Sequence, residues 1–395
     1  MALRIALVSV ARTPVGSFGG VFRDVTATQL GAAAAAEAVK RAGIDPAIID
    51  EVIFGSGGQP IKEANVARQV SLFAAFPQHI PAYSVQRNCA ASLEAVASAG
   101  RAILAGEGDT YVVGGAENMS QAPYMSYQTR WGARLRHVAL EDSLWAGLTD
   151  QYTGLLMGET AENLVDRYGL TRRDQDEVAV RSHERAFKAI RMGKFREEIV
   201  PVTVPSKRGG EPEVVVQDEG PMAGLSLERL AMAPPVFKKG GTVTPGNSCP
   251  MNDAGSAAVL MSERKLSELG LKPLGWVKSW GFAGVDPAYM GLGPAASTPV
   301  ALRRAGLAMK DIGLVEINEA FAAQYLACQR ELGFSDENAN VNGGGIALGH
   351  PIGATGLRLV ATLIHEMRRR GVKYGLATMC VGGGQGGSVI VELAE

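Results

Sequence analysis

Short apolar runs alternate with longer amphipathic stretches along the chain. Residues 4–10 and 51–54 are largely apolar and have the length of buried strands. Residues 28–42 and 92–105 are rich in alanine, have helical spacing of apolar positions and are followed by glycine, a common helix stop. Alternating strands and helices are typical of α/β proteins, so the pattern predicts an α/β architecture with a largely parallel sheet.

One of these helix and strand units occurs twice. The segment AVKRAGIDPAIIDEVIFG (38–55) aligns with ALRRAGLAMKDIGLVEIN (301–318) at a constant offset of 263 residues. The repeat predicts two similar halves. The same offset carries Cys89 onto Ile352, so Cys89 and His350 occupy nearly equivalent turns at helix starts. Halves packed about a pseudo-twofold axis would bring these two turns to one site.

A long insertion separates the two halves. We predict an N-terminal half over residues 1–120, completed by about 252–272, an inserted loop domain over 121–251 and a C-terminal half over 273–395. Within the insertion, residues 167–208 hold eleven Lys or Arg against six Asp or Glu. This excess could meet phosphates, although charge alone favours the alternative of a solvated helical face.

Composition excludes several classes of protein. Of 395 residues, 46% are apolar and 20% charged, so the chain folds around a large core. The net charge of −1 argues against a nucleic-acid partner. The apolar run at 5–10 is too short for a signal peptide or a membrane span, and we expect a cytoplasmic protein. The four cysteines and five histidines lack metal-ligand spacing, so no metal is predicted.

Two residues at helix starts are candidates for nucleophilic catalysis. Cys89 lies in SVQRNCAASLEAV, where helix N–H groups and an imidazole can favour the thiolate that attacks carbonyl carbon. His350 lies between Gly349 and Pro351, a rigid position from which it can take a thiol proton or donate to an oxyanion. The alternatives are a buried structural cysteine and a histidine that only makes a hydrogen bond within its turn.

Two further residues follow predicted strands. Cys380 opens the run VGGGQGG, whose backbone N–H groups could bind an oxyanion, and a second thiol allows one sulfur to hold an acyl group while the other removes a proton from carbon. Asn318 could orient a water as an oxyanion donor or could cap the helix that follows.

Six ordered sequence blocks are spread along nearly the whole chain: VVGGAENMS (112–120), MGETAEN (157–163), GTVTPGN (241–247), NEAFAAQ (318–324), NVNGGGIALGHPIGATG (340–356) and MCVGGGQGG (379–387). Together these blocks resemble the thiolase family of acyl-CoA C-acyltransferases. The resemblance implies a thiolase-like fold of two similar halves in αβαβα layers, with the insertion carrying much of the contact with coenzyme A (CoA). It also implies a homo-oligomer, either a dimer or a dimer of dimers.

The resemblance implies a ping-pong reaction between CoA thioesters, with no metal or other cofactor and with CoA as substrate and product. Cys89 would carry the acyl group, His350 would activate it, and Cys380 would act as acid and base on the α-carbon. One oxyanion hole would comprise His350 and a water on Asn318, the other the N–H groups of Cys89 and Gly382. The implied substrate-binding residues are Leu148, Met157, Phe237, Cys249, Met290, Ala320 and Phe321.

The sequence departs from the usual family pattern beside these residues. Ser92 stands where a glycine is usual after the nucleophile, Met222 replaces an arginine near the nucleotide, and Cys249 with Pro250 replaces Ser-Gly beside the pantetheine. Two alternatives therefore stay open: a condensing enzyme of the ketoacyl-synthase type, and a non-catalytic protein that binds acyl-CoA or a partner. Cys380 and the NEAF motif are evidence against the first.

Overall fold

A computed structural model describes residues 4–135, 137–205 and 210–395. The strands in these residues are β1 (Ile5–Arg12), β2 (Gly16–Ser17), β3 (Glu51–Gly55), β4 (Ala82–Val85), β5 (Thr110–Asn118), β6 (Tyr124–Met125), β7 (Glu141–Asp142), β8 (Val202–Val204), β9 (Glu213–Val215), β10 (Asn252–Ser262), β11 (Gly275–Gly284), β12 (Leu314–Ile317), β13 (Tyr374–Val381) and β14 (Gln385–Leu393). The helices are α1 (Ala27–Ala42), α2 (Val66–Phe73), α3 (Ala91–Ala105), α4 (Ser143–Gly147), α5 (Met157–Tyr168), α6 (Arg172–Arg191), α7 (Leu227–Ala231), α8 (Glu263–Glu268), α9 (Gly293–Ala305), α10 (Ala322–Leu332), α11 (Gly345–Leu348) and α12 (Thr355–Arg370).

The first predicted elements agree with β1, β3, α1 and α3 to within two residues. Helix α1 begins at a capping box in which the Thr26 hydroxyl accepts from Gln29 N–H and the Gln29 side chain accepts from Thr26 N–H. It ends at Gly43, and α3 ends at Gly106, with φ of +67° and +77°. Glycine reaches this left-handed conformation without a steric penalty, which is why both helices stop there.

The prediction of a largely parallel sheet is wrong, because the sheet is mixed. Its order is β12-β13-β14-β11-β1-β10-β5-β3-β4, with β2 paired to β10. Among the strand pairs of the described residues, only β3/β4, β3/β5 and β12/β13 are parallel. Parallel neighbours need a crossover, which α2, α3 and α12 supply, whereas β13 returns directly as β14 through a glycine turn and must pair antiparallel.

The helices and strands pack in five layers, and three apolar clusters form the cores between them. Helices α1 and α2 pack on the outer face of β1, β3, β5 and β10, and helices α9 and α10 pack on the outer face of β12, β13 and β14. Between the two parts of the sheet lie α3 and α12, which share a core with strands from both. Strand β5 shows how this works: Tyr111 and Val113 face the central core, while Val112 and Ala116 face α1. The predicted α/β fold with αβαβα layers is confirmed.

The offset of 263 residues found in the sequence relates β3 to β12, α3 to α12 and β5 to β13. The insertion leaves the sheet after β5 and returns at β10, and these two strands lie side by side. It is fixed to β1 by the buried Arg12 guanidinium, which donates to Glu198 at 2.8 Å and to Asp218 at 2.7 Å. The domain boundaries given above stay predictions.

The basic segment of the insertion is mostly paired with protein. Arg181 bonds Asp336 at 2.9 Å, Arg185 donates to the Ala339 carbonyl at 2.7 Å, and Lys194 meets Glu366 at 3.1 Å. Arg181 and Arg185 therefore hold α6 against the C-terminal half, and Lys194 does the same for the segment after α6, whereas Arg173, Lys188 and Arg191 are exposed to solvent; residues 207 and 208 lie outside the described residues. None of the helices described is long and apolar enough to cross a membrane.

Candidate active site

The turn that carries Cys89 is held in an unusual backbone conformation. Asn88 has φ of +41°, which asparagine tolerates better than most residues. Its side-chain amide nitrogen donates to the Gly382 carbonyl at 2.9 Å, and Gln86 donates to its amide oxygen at 2.8 Å. Because Cys89 follows Asn88 directly, these bonds fix the Cys89 turn against the glycine turn after β13.

Two backbone N–H groups act on the Cys89 thiol. Burial raises its pKa to about 11, while hydrogen bonds from the N–H groups of Gly382 and of Cys89 itself favour the thiolate, and the Glu117 carboxylate opposes it. At neutral pH the residue is a thiol. These two N–H groups are the ones that the family resemblance implied for an oxyanion hole, whose donors would meet the acyl oxygen as it develops charge.

The His350 imidazole is held in one tautomer. Its Nδ1 lies 2.7 Å from the Thr355 hydroxyl, and that hydroxyl donates its only proton to the Pro351 carbonyl at 2.8 Å. Nδ1 must therefore carry a proton and donate to Thr355, which leaves Nε2 as the acceptor. Nε2 is buried without a protein partner among the residues described. Burial, with Arg358 acting in the same direction, lowers the pKa of His350 to about 3, so the ring is a neutral base.

Cys380 is buried near the end of β13, before a turn in which Gly383 and Gly384 have φ of +85° and +78°. Burial raises its pKa well above the ordinary value, and Cys89, Cys328 and Cys249 add to this effect. Cys249 packs in the same apolar cluster as Cys380, and the Cys89 turn is bonded through Asn88 to Gly382, two residues after Cys380. The described cysteines are all free thiols.

Asn318 does not cap a helix, because α10 begins only at Ala322 and has Phe321 at its N-cap. Its backbone N–H donates to the Thr378 carbonyl at 3.0 Å, which ties it to β13. Both polar atoms of its buried amide lack a protein partner among the residues described. A Cβ at Gly345 would stand 2.6 Å from the amide oxygen, so glycine is needed beside it. A buried amide without partners is costly unless it binds a water or a ligand.

The predicted substrate-binding residues come together. Six of the seven belong to one apolar cluster with Cys380, namely Met157, Phe237, Cys249, Met290, Ala320 and Phe321. The Phe237 and Phe321 rings meet edge to face with centroids 6.2 Å apart. Leu148 is outside this cluster but adjacent, since its carbonyl accepts the Met157 N–H at 3.0 Å. Their arrangement forms an apolar wall beside the thiols.

Sequence reasoning missed the side chains that join these turns. The Glu117 carboxylate accepts N–H bonds from Gly57 at 2.7 Å, Gly58 at 3.0 Å and Gly353 at 2.9 Å, so it binds the His350 loop to the loop after β3. Asn252, three residues after Cys249, accepts the His350 N–H at 2.9 Å. A charged or amide residue at the end or start of an otherwise apolar strand was the available signal.

Comparison with known proteins identifies the family. The family description "Thiolase, N-terminal domain" matches residues 5–264, and "Thiolase, C-terminal domain" matches residues 271–393. The chain belongs to the thiolase family. The predicted family is thus confirmed, and with it the class of acyltransferase.

Relatives of known name span the same length as this thiolase. It is 47% identical to an acetyl-CoA acetyltransferase of Syntrophomonas wolfei, an alignment that covers 99% of this chain and 100% of that one. It is 46% identical to an acetyl-CoA acetyltransferase of Pseudomonas aeruginosa, with 97% of each covered.

Two solved structures are also similar to this chain over its whole length. The acetyl-CoA acetyltransferase of Bacillus anthracis superposes with a TM-score of 0.97 at 45% identity, over 100% of this chain and 99% of that one. Human mitochondrial 3-ketoacyl-CoA thiolase in complex with CoA superposes with a TM-score of 0.96 at 39% identity, over 100% of this chain and 99% of that one. The individual residue roles stay predictions.

Proposed function

We propose that this thiolase transfers acyl groups between CoA thioesters through an acyl-enzyme on Cys89, condensing two acetyl-CoA to acetoacetyl-CoA or cleaving a 3-ketoacyl-CoA with CoA. The observation that carries the proposal is the packing of the Cys89 turn against the glycine turn that follows the buried Cys380, through the hydrogen bond from Asn88 to the Gly382 carbonyl at 2.9 Å. Relatives at 46% to 47% identity are named acetyl-CoA acetyltransferases, which supports acetyl-CoA as the substrate.

The first half-reaction loads the acyl group. Nε2 of His350 takes the Cys89 proton as the sulfur attacks the thioester carbonyl, and the N–H groups of Cys89 and Gly382 stabilise the oxyanion. The departing CoA thiolate takes that proton back from His350. Since the resting residues are a neutral thiol and a neutral imidazole, charge develops only when the carbonyl is in place.

The second half-reaction forms or breaks a carbon–carbon bond. Nε2 of His350, free again after the loading step, takes the Cys380 proton, and the Cys380 thiolate removes a proton from the α-carbon of the second acetyl-CoA. The enolate oxygen is stabilised by the Nε2–H of His350 and by a water on Asn318. The carbon then attacks the acyl group on Cys89, and the departing Cys89 sulfur takes the proton back from His350. The apolar wall around Cys380 excludes solvent from the acyl-enzyme, which would otherwise be hydrolysed.

The insertion would hold CoA. A cavity of about 560 Å³ lies between α6 and the segment around Met222, and Lys188 and Arg191 line it and can meet phosphate. Human mitochondrial 3-ketoacyl-CoA thiolase has been crystallised with CoA. A cytoplasmic location and a homo-oligomer, either a dimer or a dimer of dimers, remain predictions.

The test is turnover of acetoacetyl-CoA with free CoA, followed as loss of its enolate absorbance, together with mass spectrometry of the protein. We expect turnover by the wild type, one acetyl group on Cys89, and neither in Cys89→Ala. Cys328→Ala is the matched control, since Cys328 is a buried thiol that donates to the Gly291 carbonyl. No turnover with any 3-ketoacyl-CoA would favour a non-catalytic protein, and malonyl-CoA decarboxylation would favour a ketoacyl-synthase-type enzyme.

A further inference from the structure

A charge pair without hydrogen bonds lies inside the C-terminal half. Arg358 on α12 and Glu316 on β12 have side chains only 1% and 2% exposed, and Nη1 and Oε2 are 3.8 Å apart. Nε, Nη1 and Nη2 of Arg358 and Oε2 of Glu316 have no hydrogen-bond partner among the residues described. A buried guanidinium normally has its donors satisfied, so this arrangement is costly for folding.

Neighbouring carboxylates are engaged by other groups. Glu198 accepts from Arg12 and from the Thr362 hydroxyl, Glu319 accepts from Ser182 and Asn340, and Glu366 accepts from Lys194 and Arg369. Oε2 of Glu198 also lacks a hydrogen-bond partner among the residues described, but Glu316 is the carboxylate in ion-pair contact with Arg358, at 3.8 Å. Burial raises the pKa of Glu316 to about 8, because the pull of Arg358 is offset by Glu198, Glu319 and Glu366.

The equivalent positions in the N-terminal half carry no charged side chains. The offset of 263 residues relates Glu316 to Ile53 and Arg358 to Ala95. Ile53 and Ala95 are fully buried and belong to the central core. An apolar pair satisfies the same strand and helix packing, so the fold itself does not require the charges at 316 and 358.

The pair adjoins the proposed base. Arg358 lies one helical turn after Thr355, the residue that orients His350, and positions three apart on a helix face the same side. The Arg358 charge disfavours a second positive charge on His350. The charged groups that face the pair are Arg12 from β1, Glu198 from the segment before β8, Glu319 from the segment after β12 and Glu366 from α12.

We propose that Glu316 and Arg358 are positioning residues that set the strength of His350 as a base. Ionised Glu316 neutralises Arg358 and allows His350 to accept the Cys89 proton, whereas protonated Glu316 leaves the Arg358 charge unbalanced and weakens His350. Glu316 exchanges no proton with substrate. The inference rests on the proposed function, because it needs His350 to act as the base for Cys89.

The test is the rate of Cys89 acetylation by acetyl-CoA in a single turnover, measured as a function of pH. We expect the wild-type rate to rise about tenfold between about pH 6.5 and 9, with a midpoint at about pH 8. Glu316→Gln mimics the protonated acid, so it should keep the low-pH rate throughout and be about tenfold slower than the wild type at about pH 9. A variant that retains the rise would overturn the inference.

Asp176→Asn is the matched control. Asp176 is another buried carboxylate, which accepts from Arg172 at 2.8 Å and from Asn247 at 2.9 Å, and it is not one of the charged groups that face the pair. Its variant should retain the rise with pH. Loss of the rise in both variants would mean that any change in buried charge abolishes it, and it would contradict the specific role of Glu316.

A second readout uses the wild type alone and applies if Glu316→Gln does not fold. Alkylation of Cys89 by iodoacetamide should show two rises with pH, one near the Glu316 titration and one near that of the thiol itself. A single rise at the thiol titration would contradict the inference. Absence of any Cys89 acetylation would instead contradict the proposed function, and the alkylation profile would still test the pair.

Discussion

The two halves use equivalent strand ends for different purposes. The offset of 263 residues relates Glu117 at the end of β5 to Cys380 at the end of β13. Glu117 binds three backbone N–H groups and joins loops from both halves, whereas Cys380 presents a buried thiol to the apolar wall beside Cys89. A duplicated fold can therefore assign a structural task to one copy and a chemical task to the other.

The ends of β3 and β12 differ in the same way. Gly55 is required for packing, since a Cβ there would stand 2.4 Å from the Ala91 carbonyl carbon in α3. Its counterpart Asn318 has room for an amide, both ends of which remain free of protein partners among the residues described. The first half closes this space with a helix, and the second keeps a polar group in it.

The largest expected effect concerns Cys380. In Cys380→Ser, we expect the acyl-enzyme on Cys89 to form, while condensation slows by about 10³-fold because a hydroxyl is a much poorer base towards carbon. Quenched-flow detection of the acetylated protein and steady-state condensation measure the two steps. Equal loss of both half-reactions would contradict the division of roles between the thiols.

The counterpart variant, Glu117→Gln, should act mainly on stability. Its amide nitrogen cannot accept the N–H bonds that the carboxylate accepts, and buried N–H groups without a partner cost about 2 kcal/mol in the free energy of unfolding. Urea unfolding should show this loss in Glu117→Gln and less than about 1 kcal/mol in Cys380→Ser. If Cys380→Ser proves to be the less stable variant, the comparison of the two strand ends fails.

A third prediction contrasts His365 with its first-half counterpart Ala102. Burial lowers the pKa of His365 to about 3, against an unfolded value near 6.5. The unfolded chain therefore binds more protons between these values, and the contribution of His365 to stability is lost as pH falls below about 6.5. The difference in unfolding free energy between wild type and His365→Gln should move against the wild type from about pH 7.5 to 5. A difference independent of pH would contradict this.

The smallest expected effect tests the apolar counterpart of the Glu316 and Arg358 pair. Ile53→Val removes one buried methylene and should cost about 1 kcal/mol in unfolding free energy. It should leave the pH dependence of Cys89 acetylation unchanged, because no charge is altered. A changed pH profile would show that packing, and not charge, connects these positions to His350.

Much of the fold could be predicted from local patterns. Helices α1 and α3 and strands β1 and β3 follow from apolar periodicity and glycine stops, and the repeat indicated two related halves. The strand directions could not be predicted in the same way. Whether β14 pairs parallel or antiparallel depends on the connection after Val381, and alternating αβ patterns bias the expectation towards parallel sheets.

The sequence by itself determined which chemical groups are available: two thiols and an imidazole in glycine-rich turns, within blocks that resemble the thiolase family. Only the tertiary structure decided their chemical states. The tautomer of His350 depends on the Thr355 hydroxyl, the environment of Cys89 on Gly382, almost 300 residues away, and the ionisation of Glu316 on Arg358 and three other carboxylates. The physical reason is that burial and charge are set by neighbours in space, and local sequence patterns do not specify those neighbours.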